Sequence, residues 1–94
     1  MTTGDTKDLA RERDYMTDRL TEISLERSRL MAESAGLKLE LERDDRLSPE
    51  RSKAVRRRLN YIARRREDLK VEREMLKPKR EELSRQIAET TRSQ

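Results

Sequence analysis

Apolar residues return at seven-residue intervals in both halves of the chain. In the first half Leu9, Met16, Ile23, Leu30 and Leu37 form one series and Leu20 and Leu41 a companion, with Arg13, Arg27 and Ser34 in the companion's remaining places. These read as the d and a positions of a heptad, the pattern of a long helix that buries a narrow seam against another. In the second half Val55, Ile62, Leu69, Leu76 and Leu83 form the d series, Leu59 and Ile87 fall at a, and Arg66, Arg73 and Arg80 stand between them. Two helices are predicted, each with a seam in which arginine interrupts the aliphatic side chains.

The stretch Asp44-Asp45-Arg46-Leu47-Ser48-Pro49-Glu50 separates the two patterns. Proline disfavours the α region at Ser48, so the first helix is expected to stop near Arg46. Ser48 suits a cap, Pro49 the first helical turn, and Glu50 the positive end of the helix dipole. Helices over about 6–46 and about 50–90, joined by a turn at about 47–49, follow from these signals. If the chain reverses there, each a residue must face a d residue. Pairing Leu41 with Val55 sets Leu37 against Leu59, Ser34 against Ile62, Leu30 against Arg66 and Leu20 against Leu76, an a against a d in each layer. The expected fold is all-α, a single domain built as a long antiparallel coiled-coil helical hairpin. Pro78, at an outward f position, removes one helical hydrogen bond, and the heptad resumes in phase at Arg80, Leu83 and Ile87, so a kink is expected there rather than a break.

Composition narrows this picture further. Of 94 residues 31% are hydrophobic and 47% charged, which excludes a thick core. Tyr15 and Tyr61 are the only aromatics and glycine and proline number two each, so β architectures lack their usual punctuation. The charges are mixed in sign to a net +4 and the common residues are good helix formers, a balance that favours long solvated helices over disorder. Arginine in a seam layer lays its methylenes over leucine but packs less well than leucine would. A hairpin built this way is marginal by itself.

A second apolar flank bears on that weakness. Leu25, Ala32 and Leu39 fall at f, Met31 at e and Ala35 at b, positions that are contiguous on the helical wheel, while Ala10, Thr17, Ser24 and Ala63 extend its small, uncharged edge. Single exposed leucines are ordinary on soluble proteins. A whole strip beside a poor seam instead predicts self-association through Leu25, Met31, Ala32, Ala35 and Leu39, as a homodimer of hairpins in a four-helix arrangement.

Charge is distributed unevenly. Arg51, Lys53, Arg56, Arg57, Arg58, Arg64, Arg65 and Arg66 form a run that contains no acid. Around a helix these side chains cover most faces rather than one stripe. The register above brings Glu40 near Arg58 and Glu33 near Arg65 at g positions, leaving Arg56, Arg57 and Arg64 without an evident partner. Such a surplus points to an acidic protein surface or to nucleic-acid phosphates. Only Tyr61 interleaves the arginines, which gives little basis for recognising single strands by base stacking. At the turn, Glu42, Asp44, Asp45 and Glu50 make an acidic tip, whose ordinary role is to solvate a turn and favour a helix start. In architecture alone the hairpin resembles the coiled-coil finger of transcript-cleavage factors, which would imply a tip (Asp44, Asp45, Glu50) inserted into a polymerase-like channel; no sequence motif of that family is matched.

Chemistry is restricted by what is absent. Without cysteine or histidine the chain has no thiolate nucleophile, imidazole base or customary zinc ligand set, and its serines have nothing to activate them. No enzyme activity, metal, cofactor or small-molecule substrate is expected. No signal-like segment or apolar run approaching the roughly 20 residues of a membrane span occurs, and a membrane-surface helix would want the missing Trp and Phe, so a cytoplasmic location is expected. The function expected is that of a small non-enzymatic coiled-coil interaction protein (an adaptor, assembly factor or inhibitor) that self-associates and binds a protein partner through charged helix faces. A nucleic-acid-associated role for the basic run 51–66 is the alternative.

Overall fold

The computed structural model describes residues 3–43 and 46–92. Within them the chain is an all-α helical hairpin of two long helices, α1 (Thr3–Arg43) and α2 (Pro49–Arg92). Arg46, where the first helix is expected to stop, is a turn residue, and α2 continues through Pro78 as one helix. Pro78 is exposed, so its missing hydrogen bond falls where water can satisfy the freed carbonyl.

The start of α2 is built as its residues dictate. Ser48 Oγ accepts a hydrogen bond from the Arg51 N–H at 3.1 Å, and the Ser48 carbonyl accepts one from the Ser52 N–H at 3.0 Å. Ser48 is therefore the N-cap. Pro49 occupies the first helical position, where a missing N–H leaves nothing unsatisfied, and Glu50 lies in the first turn against the positive end of the dipole.

Packing divides the chain into two units. In the turn unit, Ser24–Lys70, the buried side chains are Leu30, Val55, Ile62 and Leu69, with Ser34 among them. Leu37, Leu41 and Leu59 are half-buried. The terminal unit combines α1 up to Ile23 with α2 from Val71 and buries Leu20, Ile23 and Leu83, with Leu9, Met16, Leu76 and Ile87 half-buried. Each of these residues belongs to the a and d series, so the heptad decides what is inside. Ile23, Val55, Ile62 and Leu69 are the large side chains buried to within 2% of completely, each contributing roughly 1.5–3 kcal/mol.

Arginine sits in the seam as the spacing requires. Arg27 and Arg66 in the turn unit, and Arg13, Arg73 and Arg80 in the terminal unit, are all half-buried. The Nε atoms of Arg27, Arg66 and Arg73 are covered and have no hydrogen-bond partner. The methylenes seal the seam, at the expense of a stranded donor in each of these three layers.

Candidate functional site

Ion pairing sorts the arginines of the basic run into two groups. In the turn unit Arg51 forks onto Glu40, with Nε to Oε1 at 2.8 Å and Nη2 to Oε2 at 3.0 Å. Arg58 grips Glu33 in the same two-pronged way, with Nη2 to Oε1 at 2.9 Å, and Arg65 grips Glu26, with Nη2 to Oε1 at 3.1 Å. The terminal unit holds the equivalent pair with its signs exchanged, Arg19 Nη2 to Glu72 Oε1 at 2.7 Å, and Arg19 also reaches Glu22 at 3.2 Å. All of these cross-helix pairs join g positions. Hydrogen bonds from Arg58 and Arg51 hold the Glu33 and Glu40 carboxyls below the ordinary glutamate range, and the same contacts, led by the hydrogen bond to Glu72, raise Arg19 above its usual value.

These pairs correct the expected register. Glu40 meets Arg51 rather than Arg58, and Glu33 meets Arg58 rather than Arg65, so each acid takes the arginine seven residues earlier. A displacement of seven leaves heptad phase unchanged, which is why the seam pattern alone does not choose between the two. Charge does choose. Extended along both helices, the expected register sets Glu26 opposite Glu72 and Arg19 opposite Lys79, whereas the observed one opposes unlike charges at each of the pairs described.

With Arg51, Arg58 and Arg65 engaged and Arg66 in the seam, the rest of the run falls on one outward face of the turn unit. Lys53, Arg56, Arg57 and Arg64 are all exposed and make no ion pair among the described residues. They stand at i, i+3, i+4 and i+11 with exposed Asn60 at i+7, the spacing of a single helical stripe. With the paired arginines and Arg66 set aside, one exposed stripe remains, and it contains the Arg56, Arg57 and Arg64 expected to lack a partner. Arg57, Asn60, Tyr61 and Arg64 line a shallow groove along it. The Arg58 guanidinium lies 4.8 Å from the centre of the Tyr61 ring.

The apolar strip is also placed as a surface of the turn unit. Leu25 and Met31 are each 54% exposed and Leu39 45%, with Ala32 and Ala35 exposed between them. Gly36 stands beside the strip, and a Cβ built there would meet nothing within 4 Å. The expected small-residue extension is divided: Ser24 and Ala63 are exposed in the same unit, while Ala10 and Thr17 belong to the terminal unit. A second pair of exposed apolar side chains, Val71 at 47% and Met75 at 57%, lies in the terminal unit and was not anticipated; its four-residue spacing on outward positions was the available signal.

Of the acidic tip, Glu50 is exposed in the first turn of α2, and Asp44 and Asp45 lie outside the described residues. Among the described residues no three acids gather closely enough to hold a metal ion, and no helix is long and apolar enough to cross a membrane. No protein-family model matches the chain, and neither a curated protein nor a solved structure shows significant similarity to it.

Proposed function

We propose that the chain is a non-enzymatic coiled-coil interaction protein that pairs with a second copy through the strip Leu25, Met31, Ala32, Ala35 and Leu39, making a four-helix arrangement, and meets its partner through charged helix faces. The observation that carries this reading is the exposure of that strip: large aliphatic side chains stand in water on α1 while arginines occupy the seam. Burying the strip against a copy of itself would remove apolar surface from water that the hairpin leaves uncovered. Alanine, serine and glycine between the leucines allow two helix backbones to approach closely. The absence of cysteine and histidine supports the non-enzymatic part of the reading.

Light scattering tests it. The wild-type chain is expected at twice its 11.3 kDa mass, and the Leu25→Glu, Leu39→Glu double variant at the monomer mass. A monomeric wild type, or a double variant of unchanged mass, overturns the proposal.

A further inference from the structure

The geometry points to a partner for the basic stripe: we propose that Lys53, Arg56, Arg57 and Arg64 bind the sugar-phosphate backbone of a nucleic-acid duplex without reading its bases. This rests on the reading of the chain as an interaction protein but not on its self-association, so scattering and binding measurements fail separately.

Pairing is what creates the stripe. Glu40, Glu33 and Glu26 engage Arg51, Arg58 and Arg65 on the g edge, so the cations left over are those at b, e and f, on one side of α2. No acid occurs between Glu50 and Glu67 to neutralise them. From Lys53 to Arg64 the stripe runs about 16 Å along the helix, long enough for its four cations to meet several phosphates of a duplex. Within it Arg57 and Arg64 stand two turns apart, about 10 Å, with Asn60 between them in the same groove. Two planar guanidinium forks around an amide donor suit the non-bridging oxygens of separate phosphates.

The alternatives fit less well. A protein interface keeps a desolvated apolar centre within its charged rim, and the stripe contains no large aliphatic side chain. A single strand is held by stacking bases on open aromatic faces, and Tyr61 already carries the Arg58 guanidinium. A duplex backbone needs neither. It needs cations spaced along a rod and side chains that donate hydrogen bonds.

Fluorescence anisotropy with the full chain and two 20-bp DNA duplexes of unrelated sequence tests the proposal. Both duplexes are expected to bind equally, and raising salt from 50 to 200 mM is expected to weaken binding roughly 100-fold, the slope for about four phosphates neutralised. Replacing Arg56, Arg57 and Arg64 with Glu should abolish binding at 100 mM salt, and replacing them with Gln, which keeps helix and solubility, should weaken it at least tenfold. A charge-matched control in the terminal unit, Lys7→Glu, Arg11→Glu and Lys77→Glu, should weaken it far less; circular dichroism checks that each variant remains helical. Absence of duplex binding at 50 mM salt, equal loss in the control, or tighter binding to poly-glutamate than to duplex would overturn the inference.

Discussion

The two edges of the turn unit both carry basic residues from α2 and end in opposite states. On the g edge each acid of α1, Glu26, Glu33 and Glu40, lies across from an arginine of α2, and the side chains lock in forked pairs. On the e edge α1 offers Ser24, Met31 and Lys38 and α2 offers Arg56, Ala63 and Lys70, all exposed and none acidic. The difference lies in where α1 places its acids. Because it places them at g, Arg51, Arg58 and Arg65 are neutralised within the hairpin, Arg66 lies in the seam, and Lys53, Arg56, Arg57 and Arg64 are gathered on the side that faces away. An arginine-rich helix thus acquires a direction from its partner helix, though its own sequence surrounds it with charge.

Neither edge holds the pair together if the seam does, and the largest expected effect tests that. Ile62 is 1% exposed in a seam with few fully buried side chains, and Ile62→Ala should cost about 2–4 kcal/mol. Urea denaturation followed at 222 nm measures it. A loss no larger than that from removing one edge pair would place the stability on the edges.

Filling the seam should work in the opposite direction. Arg66 is half-buried with a covered Nε that lacks a hydrogen-bond partner, so Arg66→Leu removes a stranded donor and adds apolar contact. Stability should rise by about 1–2 kcal/mol, seen as an increase in Tm of several degrees. The g-edge pairs are left intact, so the gain should appear equally in a background where Glu33 and Glu40 are Gln. A smaller gain there would show that seam and edge are coupled. Removing the Ser48 cap, which bonds the Arg51 N–H on neither edge, should cost about 1 kcal/mol in Ser48→Ala, and less in Ser48→Asn, by the same denaturation assay.

How much of this the chain announces varies from residue to residue. The hairpin, its turn and its buried side chains are readable because Ile23, Leu30, Val55, Ile62 and Leu69 obey one repeat and Ser48-Pro49 interrupts it. The strip at Leu25, Met31 and Leu39 is readable for the same reason, as aliphatic side chains off the seam. The register is not readable from phase, since a slip of one heptad restores the same a-against-d pattern. It was readable from charge, in the like pairs that Glu26 with Glu72 and Arg19 with Lys79 would have made. The unpaired Arg56, Arg57 and Arg64 are readable under either register, since the slip of seven changes only whether Arg51 is engaged.

The smallest expected effect separates the edges by acidity. Hydrogen bonds from Arg58 and Arg51 depress the Glu33 and Glu40 carboxyls below the ordinary glutamate range in the folded chain, whereas the unfolded chain lacks those contacts. A carboxyl with a depressed folded value stabilises fully above the unfolded value and loses that contribution as pH falls through the folded one. Melting temperature should therefore hold from pH 7 to about 5 and decline below the ordinary glutamate range near 4.5. In Glu33→Gln, Glu40→Gln the acid limb should be shallower, from a slightly lower start, because exposed pairs contribute little individually. The variant with Arg56, Arg57 and Arg64 replaced by Gln touches no carboxylate and should follow the wild-type limb. Parallel limbs for wild type and the glutamine pair would mean that the g-edge forks do not persist in solution, and the contrast between a closed edge and an open face would lose its physical basis.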